Sequence, residues 1–252
     1  MNTSNISLLI KRQFKENNKI YGISLLVLFS VLAFLFLLVH QWQDSFAGAV
    51  QNGVFLIGLF IGGGLFTNSM FNELSDSSSS IWLLSLPAKH SEKVLASIFI
   101  STVIFLTSYL IIFYLVDILY LLKTDRFKME YILNPFKDDF YLFFFWYLLY
   151  NAIILLGRVL FTKYSLIKTI LSIFLFFILF NYLNNLILEM LIPEVNLVSS
   201  IALDSFLFHH ETENVTVFLP ENIDLATAVF TKFLLPISMW FLVWLKLKEK
   251  QV

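Results

Sequence analysis

Six stretches of this chain are apolar for about as long as a helix needs to cross the hydrocarbon core of a bilayer, roughly 20 residues. They run from about Ile20 to Val39, Val54 to Phe71, Val94 to Leu122, Phe140 to Phe161, Ile167 to Ile192 and Leu225 to Leu245. Hydrocarbon offers the backbone no hydrogen-bond partner, so a spanning segment is a helix or part of a closed barrel. These runs are continuously apolar and lack the period-two alternation of a barrel strand. The sequence therefore predicts an all-α integral membrane protein with six transmembrane helices in a single domain. Composition agrees: 58% of residues are hydrophobic and 14% charged, against about 45–50% and about 25% in soluble domains. The third and fifth runs exceed the minimum, which implies tilt, a kink or projection beyond the bilayer.

Lysine and arginine mark the sides. With six spans both termini share a side, and that side collects Lys11, Arg12, Lys15, Lys19, Lys89, Lys93, Arg158, Lys163, Lys168, Lys246, Lys248 and Lys250. The other side holds Lys123, Arg126, Lys128 and Lys137 in one loop, offset by Asp125, Glu130, Asp138 and Asp139. The positive-inside rule then places both termini in the cytosol. Residues 5–17 put Ile6, Leu9, Ile10 and Phe14 on one helical face and Lys11, Arg12, Lys15 and Glu16 on the other. That is the pattern of an interfacial helix, and a plain basic flank would read the same way.

Two polar interruptions stand out. The first, residues 73–93 between the second and third spans, has a serine-rich entry, an apolar turn and a stop at Pro87. Asp76 or a nearby serine can cap a short helix there, and Ser91 with Glu92 can restart the next one. The second, residues 193–224 before the last span, has no Lys or Arg but carries Glu194, Asp204, Glu211, Glu213, Glu221 and Asp224. It is predicted to be an acidic external cap, in which Asn196 to Phe208 can form short helices dipping toward the membrane. Its His209-His210-Glu211 cluster lacks a helical i, i+4 histidine pair and is read as a solvated acidic loop, not a metal site.

The order of features resembles the permease subunit of an ABC-2 type exporter: a basic amphipathic entry, six spans, Phe71-Asn-Glu73 ending the second, Ile81-Trp-Leu-Leu-Ser-Leu-Pro87-Ala, the Glu92-Lys93 restart, and a long external segment before the last span. The resemblance covers nearly the whole chain, and only the Leu-Leu-Ser-Leu-Pro-Ala region is motif-like. In that family the short helix between the second and third spans is a cytosolic coupling helix seated in a groove of a separate ABC ATPase subunit. The resemblance thus implies an exporter driven by that subunit and working with a second permease copy or homologue. ATP and Mg are expected on the partner, with Glu73, Asp76, Ser80, Leu84, Pro87 and Lys89 as coupling residues. The family often carries a more basic set after the proline, where this chain has Lys89 and Lys93.

No phosphate loop occurs: Gly62-Gly-Gly64 lies inside a span with no following Lys, which suits close helix packing. No motif of a membrane metalloprotease or hydrolase is present, so no intrinsic enzyme activity and no bound cofactor are expected. A net charge of -1 gives no basis for nucleic-acid binding. Among ionisable and polar groups within the spans, Asp117 and Glu189 fall near external helix ends and are read as reaching the interface. Lys232 lies four residues before Pro236 and can snorkel outward, pair with Glu189 or face a cavity. Asn181, Asn184 and Asn185 form a polar patch suited to interhelical hydrogen bonds or to a pathway. A non-transporting membrane scaffold that docks a cytosolic partner through residues 73–93 is the alternative reading.

Overall fold

The structure is a computed structural model that describes residues 3–42, 48–72, 88–123, 132–134, 140–191, 196–201, 205–210, 213–218 and 221–250. Among them are six helices long and apolar enough to cross a membrane. We number them α1 (Thr3–Trp42), α2 (Gly48–Ser69), α3 (His90–Lys123), α4 (Leu142–Leu160), α5 (Ser165–Leu191) and α6. The last, α6, joins Glu221–Val229, a π turn at Phe230–Leu234 and Leu235–Glu249.

The first helix departs from expectation. Its 40 residues run unbroken, about 60 Å at 1.5 Å per residue, so residues 5–17 continue the span's own axis and are not a separate helix. The amphipathic face docks on the bundle: Ile10 packs against a core that includes Met70, Val94 and Val243, and Phe14 meets Tyr21, which in turn meets Phe66.

Two helices contain π turns with local causes. In α3 the π turn is Ile100–Ile104; just there Thr102 Oγ1 donates to the Ile98 carbonyl at 2.6 Å and Ser101 Oγ donates to the same oxygen at 3.4 Å. Such back-bonding competes with the helical ladder. In α6 the cause is Pro236, which has no N–H for the Lys232 carbonyl four residues earlier and crowds it with its ring. The helix cap also differs from expectation. Ser91 lies inside the first turn of α3; the cap residue is Lys89, whose backbone N–H donates to Glu92 Oε2 at 3.1 Å.

Helix α4 is the centre of the bundle. Half of its apolar window is buried, against 6% for α5 and 11% each for α1 and α6, so the last three lie at the periphery of the bundle. It packs on α2, α3, α5 and α6. Aromatic rings fill one core: Phe55 lies 4.9 Å from Phe113 and 5.2 Å from Phe140 between ring centroids, and Phe105 stacks with both Tyr109 and Tyr147. Helix α5 turns Phe174, Phe176 and Phe177 outward. The glycine run packs closely, as the sequence suggested: a Cβ on Gly63 would run into the Tyr147 ring, and one on Gly64 into Tyr150.

The segment 193–224 departs from expectation: the described residues from Asn196 to Phe208 are strands, not short dipping helices. Its described part is a three-stranded antiparallel meander, β1 (Asn196–Ile201), β2 (Ser205–His210) and β3 (Glu213–Phe218), followed by the start of α6 at Glu221. The register pairs Ser200 with Phe206 and His210 with Glu213. Val, Ile, Thr and Phe in these three runs suit a pleated ladder better than a helix. The all-α reading therefore holds for the membrane part and fails for this cap.

Candidate functional site at the basic end

The ends of α2, α4 and α6 and the starts of α1, α3 and α5 meet at one end of the bundle. Met70, Phe71, Val94, Leu155, Val159 and Leu247 form its core; Arg12, Lys93, Arg158 and Lys246 stand on the helices that reach it, and Lys163 stands in the turn between α4 and α5. Lys250, just past α6, is held below the ordinary lysine range by partial burial and by the nearby Arg158 guanidinium. The two ends of the chain therefore share a side of the fold.

Arg158 organises this end. It sits in the last turn of α4 with only 4% of its surface exposed. One terminal nitrogen donates to both the carbonyl and the side-chain oxygen of Asn72, at 3.2 and 3.0 Å. The other donates to Ser165 Oγ at 3.0 Å, and that hydroxyl donates to Asn68 Oδ1 at 2.6 Å. The planar fork of arginine, permanently charged, spans two acceptor groups at once. The result ties the exit of α2, the end of α4 and the start of α5. Below it, a Cβ on Gly157 would strike the Thr169 side chain, so α4 and α5 are in close contact at this level.

Backbone strain flanks both acceptors. Phe71 (φ 57°) and Tyr164 (φ 54°) are the non-glycine residues in the left-handed region among those described, each next to a residue that Arg158 holds. For bulky side chains that conformation costs about 1–3 kcal/mol and persists where the surroundings over-determine it. An open cleft of about 500 Å³, lined by Asn68, Arg158, Lys163, Tyr164 and Ser165 among others, borders the tie.

Of the expected coupling residues, Glu73, Asp76, Ser80, Leu84 and Pro87 lie outside the described residues. Lys89 is exposed where the chain enters α3. Asn181 bonds back along its own helix, its amide donating to the Phe177 carbonyl at 2.8 Å. Asn184 and Asn185 are half-buried on α5, Glu189 lies near the end of that helix, and Lys232 sits half-buried in the π turn of α6.

Asp117 requires a correction. It does not reach the interface; it is fully buried and accepts a hydrogen bond from Gln51 Nε2 at 2.8 Å. The bend at Leu133 closes over this end of the bundle, with Tyr114 Oη donating to the Leu133 carbonyl at 3.1 Å. Inside the bundle, Asn151 Nδ2 donates to Thr67 Oγ1 at 2.8 Å and to the Ser101 carbonyl at 3.4 Å, and Tyr147 Oη donates to that carbonyl at 2.8 Å. The π turn loosens the carbonyl ladder just where α4 supplies two donors. Sequence reasoning missed this group and counted Arg158 only as a topological charge. The available signal was a set of single polar residues, Gln51, Thr67 and Asn151, inside otherwise apolar runs.

Fold and site together define a multi-pass helical membrane protein with a polar tie at its basic end. The chain matches no protein-family model, no curated protein and no solved structure.

Proposed function

We propose that this chain is the membrane-spanning permease subunit of an ATP-driven exporter of the ABC-2 type. In this reading two permease chains, identical or homologous, work with a separate ATPase that carries ATP and Mg, and the basic end faces the cytosol. Residues 73–93 are then the surface on which the ATPase pushes. The observation that supports the reading is that the root at which the chain enters the 73–87 stretch is fastened across the bundle, while the root at which it leaves is the capped start of α3. Asn72 is held by Arg158, and Lys89 closes the first turn of α3 through Glu92. A root held across the bundle delivers a push to the helices that hold it.

The test is co-purification with a candidate phosphate-loop ATPase from the same organism, followed by ATP hydrolysis measurements on Leu84→Asp and Pro87→Ala variants. The reading expects lost assembly for the first and altered turnover for the second. Unchanged assembly and turnover in both would overturn the coupling role.

A further inference from the structure

We infer that Arg158 is the positioning residue through which movement of the 73–87 stretch reaches α4 and α5; the inference rests on the exporter reading above and adds the internal route. The geometry carries it. Arg158 is the described side chain that grips the chain immediately before that stretch, and it does so twice, on the carbonyl and on the side chain of Asn72. With its other nitrogen it grips the first residue of α5. Ser165 passes the link back to Asn68, so hydrogen bonds join the exit of α2 to the α4–α5 turn in a ring that the backbone from Asn68 to Asn72 closes.

The two left-handed residues sit where such a ring must flex. Phe71 lies between α2 and the gripped Asn72, and Tyr164 lies between α4 and the gripped Ser165. Each is a point where the backbone can relax toward the ordinary region when its neighbour shifts, while Arg158 keeps the two neighbours together. A push on Asn72 is thereby transmitted to the α4–α5 turn. Helix α4 carries the buried Asn151 and Tyr147 contacts to α2 and α3, so a displacement of its end is felt along the bundle's centre.

Lysine keeps the charge of Arg158 but cannot span Asn72 and Ser165 together. Arg158→Lys and Arg158→Gln are therefore expected to behave alike, whereas a role of bulk charge alone would be rescued by lysine. Asn72→Ala cuts the same tie without altering α4. The chain has no cysteine, so Lys15→Cys with Lys163→Cys gives a clean spin-label pair that reports the α4–α5 turn against α1. In the complex with the ATPase, the wild-type distance is expected to change on addition of ATP and vanadate. In all three variants the ATPase stays bound and the change is lost. A wild-type complex with no change, or variants that retain it, would overturn the role of Arg158.

Hydrogen exchange on the chain alone in nanodiscs separates this from failure of the exporter reading. Arg158→Lys should raise exchange by about tenfold at residues 70–72 and 161–168 together, as expected for lost bonds to a charged group. If no ATPase binds wild type, the exporter reading fails whatever the exchange shows. If exchange at these two sites does not rise, the tie itself is refuted.

Discussion

Replacing Gly63 with alanine is the sharpest test of the packing. The added Cβ would overlap Cε2 of Tyr147 and stand 3.0 Å from its hydroxyl and 3.1 Å from Phe105 Cε1. Neither ring can step aside freely. Tyr147 is fully buried, stacks on Phe105, and is pinned by its hydroxyl to the Ser101 carbonyl at 2.8 Å. Overpacking of a core costs about 1–3 kcal/mol, and losing an interhelical hydrogen bond in a membrane costs about 0.6 and up to about 1.7 kcal/mol. The variant should therefore lose about 2–4 kcal/mol. Gly22 has nothing within 4 Å of an added Cβ, so Gly22→Ala should be neutral or gain up to about 1 kcal/mol from helix propensity. Equilibrium unfolding in mixed detergent micelles measures both. In a Tyr147→Leu background, which removes the obstructing ring, Gly63→Ala should cost less than about 1 kcal/mol, a non-additivity of at least about 1 kcal/mol. A Gly63→Ala variant as stable as Gly22→Ala would refute the close approach of α2 to α4.

Two further outcomes follow from the geometry. Asp117→Ala removes the acceptor of the Gln51 amide in a buried site and should destabilise by about 1–3 kcal/mol, while Asp117→Asn, which retains an acceptor oxygen, should cost clearly less; equal losses in thermal unfolding would contradict the Gln51 pairing. Because the chain lacks cysteine, single Cys variants at Lys11 and Lys163 should react with an impermeant maleimide from one side of sealed membranes and one at Lys123 from the other; labelling of all three from the same side would refute the six-crossing topology.

Hydropathy carried the membrane part of the fold because lipid leaves so few choices. A run of about 20 apolar residues must satisfy its own backbone, and helices do so locally, so the six helices were legible, although α1 begins at Thr3 and α2 at Gly48, well before the apolar runs at Ile20 and Val54. The same reasoning misread 196–218, where no lipid constraint acts and β-branched residues settled into a ladder set by pairing between strands. It also split α1 in two, since a change in polarity marks where a helix leaves the lipid but not where it ends.

The sequence by itself determined the number of spans, the grouping of basic residues on alternate connections, the close-packing use of the glycines and the lack of a phosphate loop. These follow from local composition, which each segment carries alone. The tertiary structure decided which polar residues meet. Arg158 and Asn72 are 86 positions apart and Asn151 and Thr67 are 84 apart, and only the packing of α4 against α2 brings each pair together. Single polar residues in an apolar run announce that a partner is needed, because hydrocarbon makes an unpaired group costly. The crossing of the helices selects the partner, and at the basic end it joins the root of the 73–87 stretch to the turn between α4 and α5.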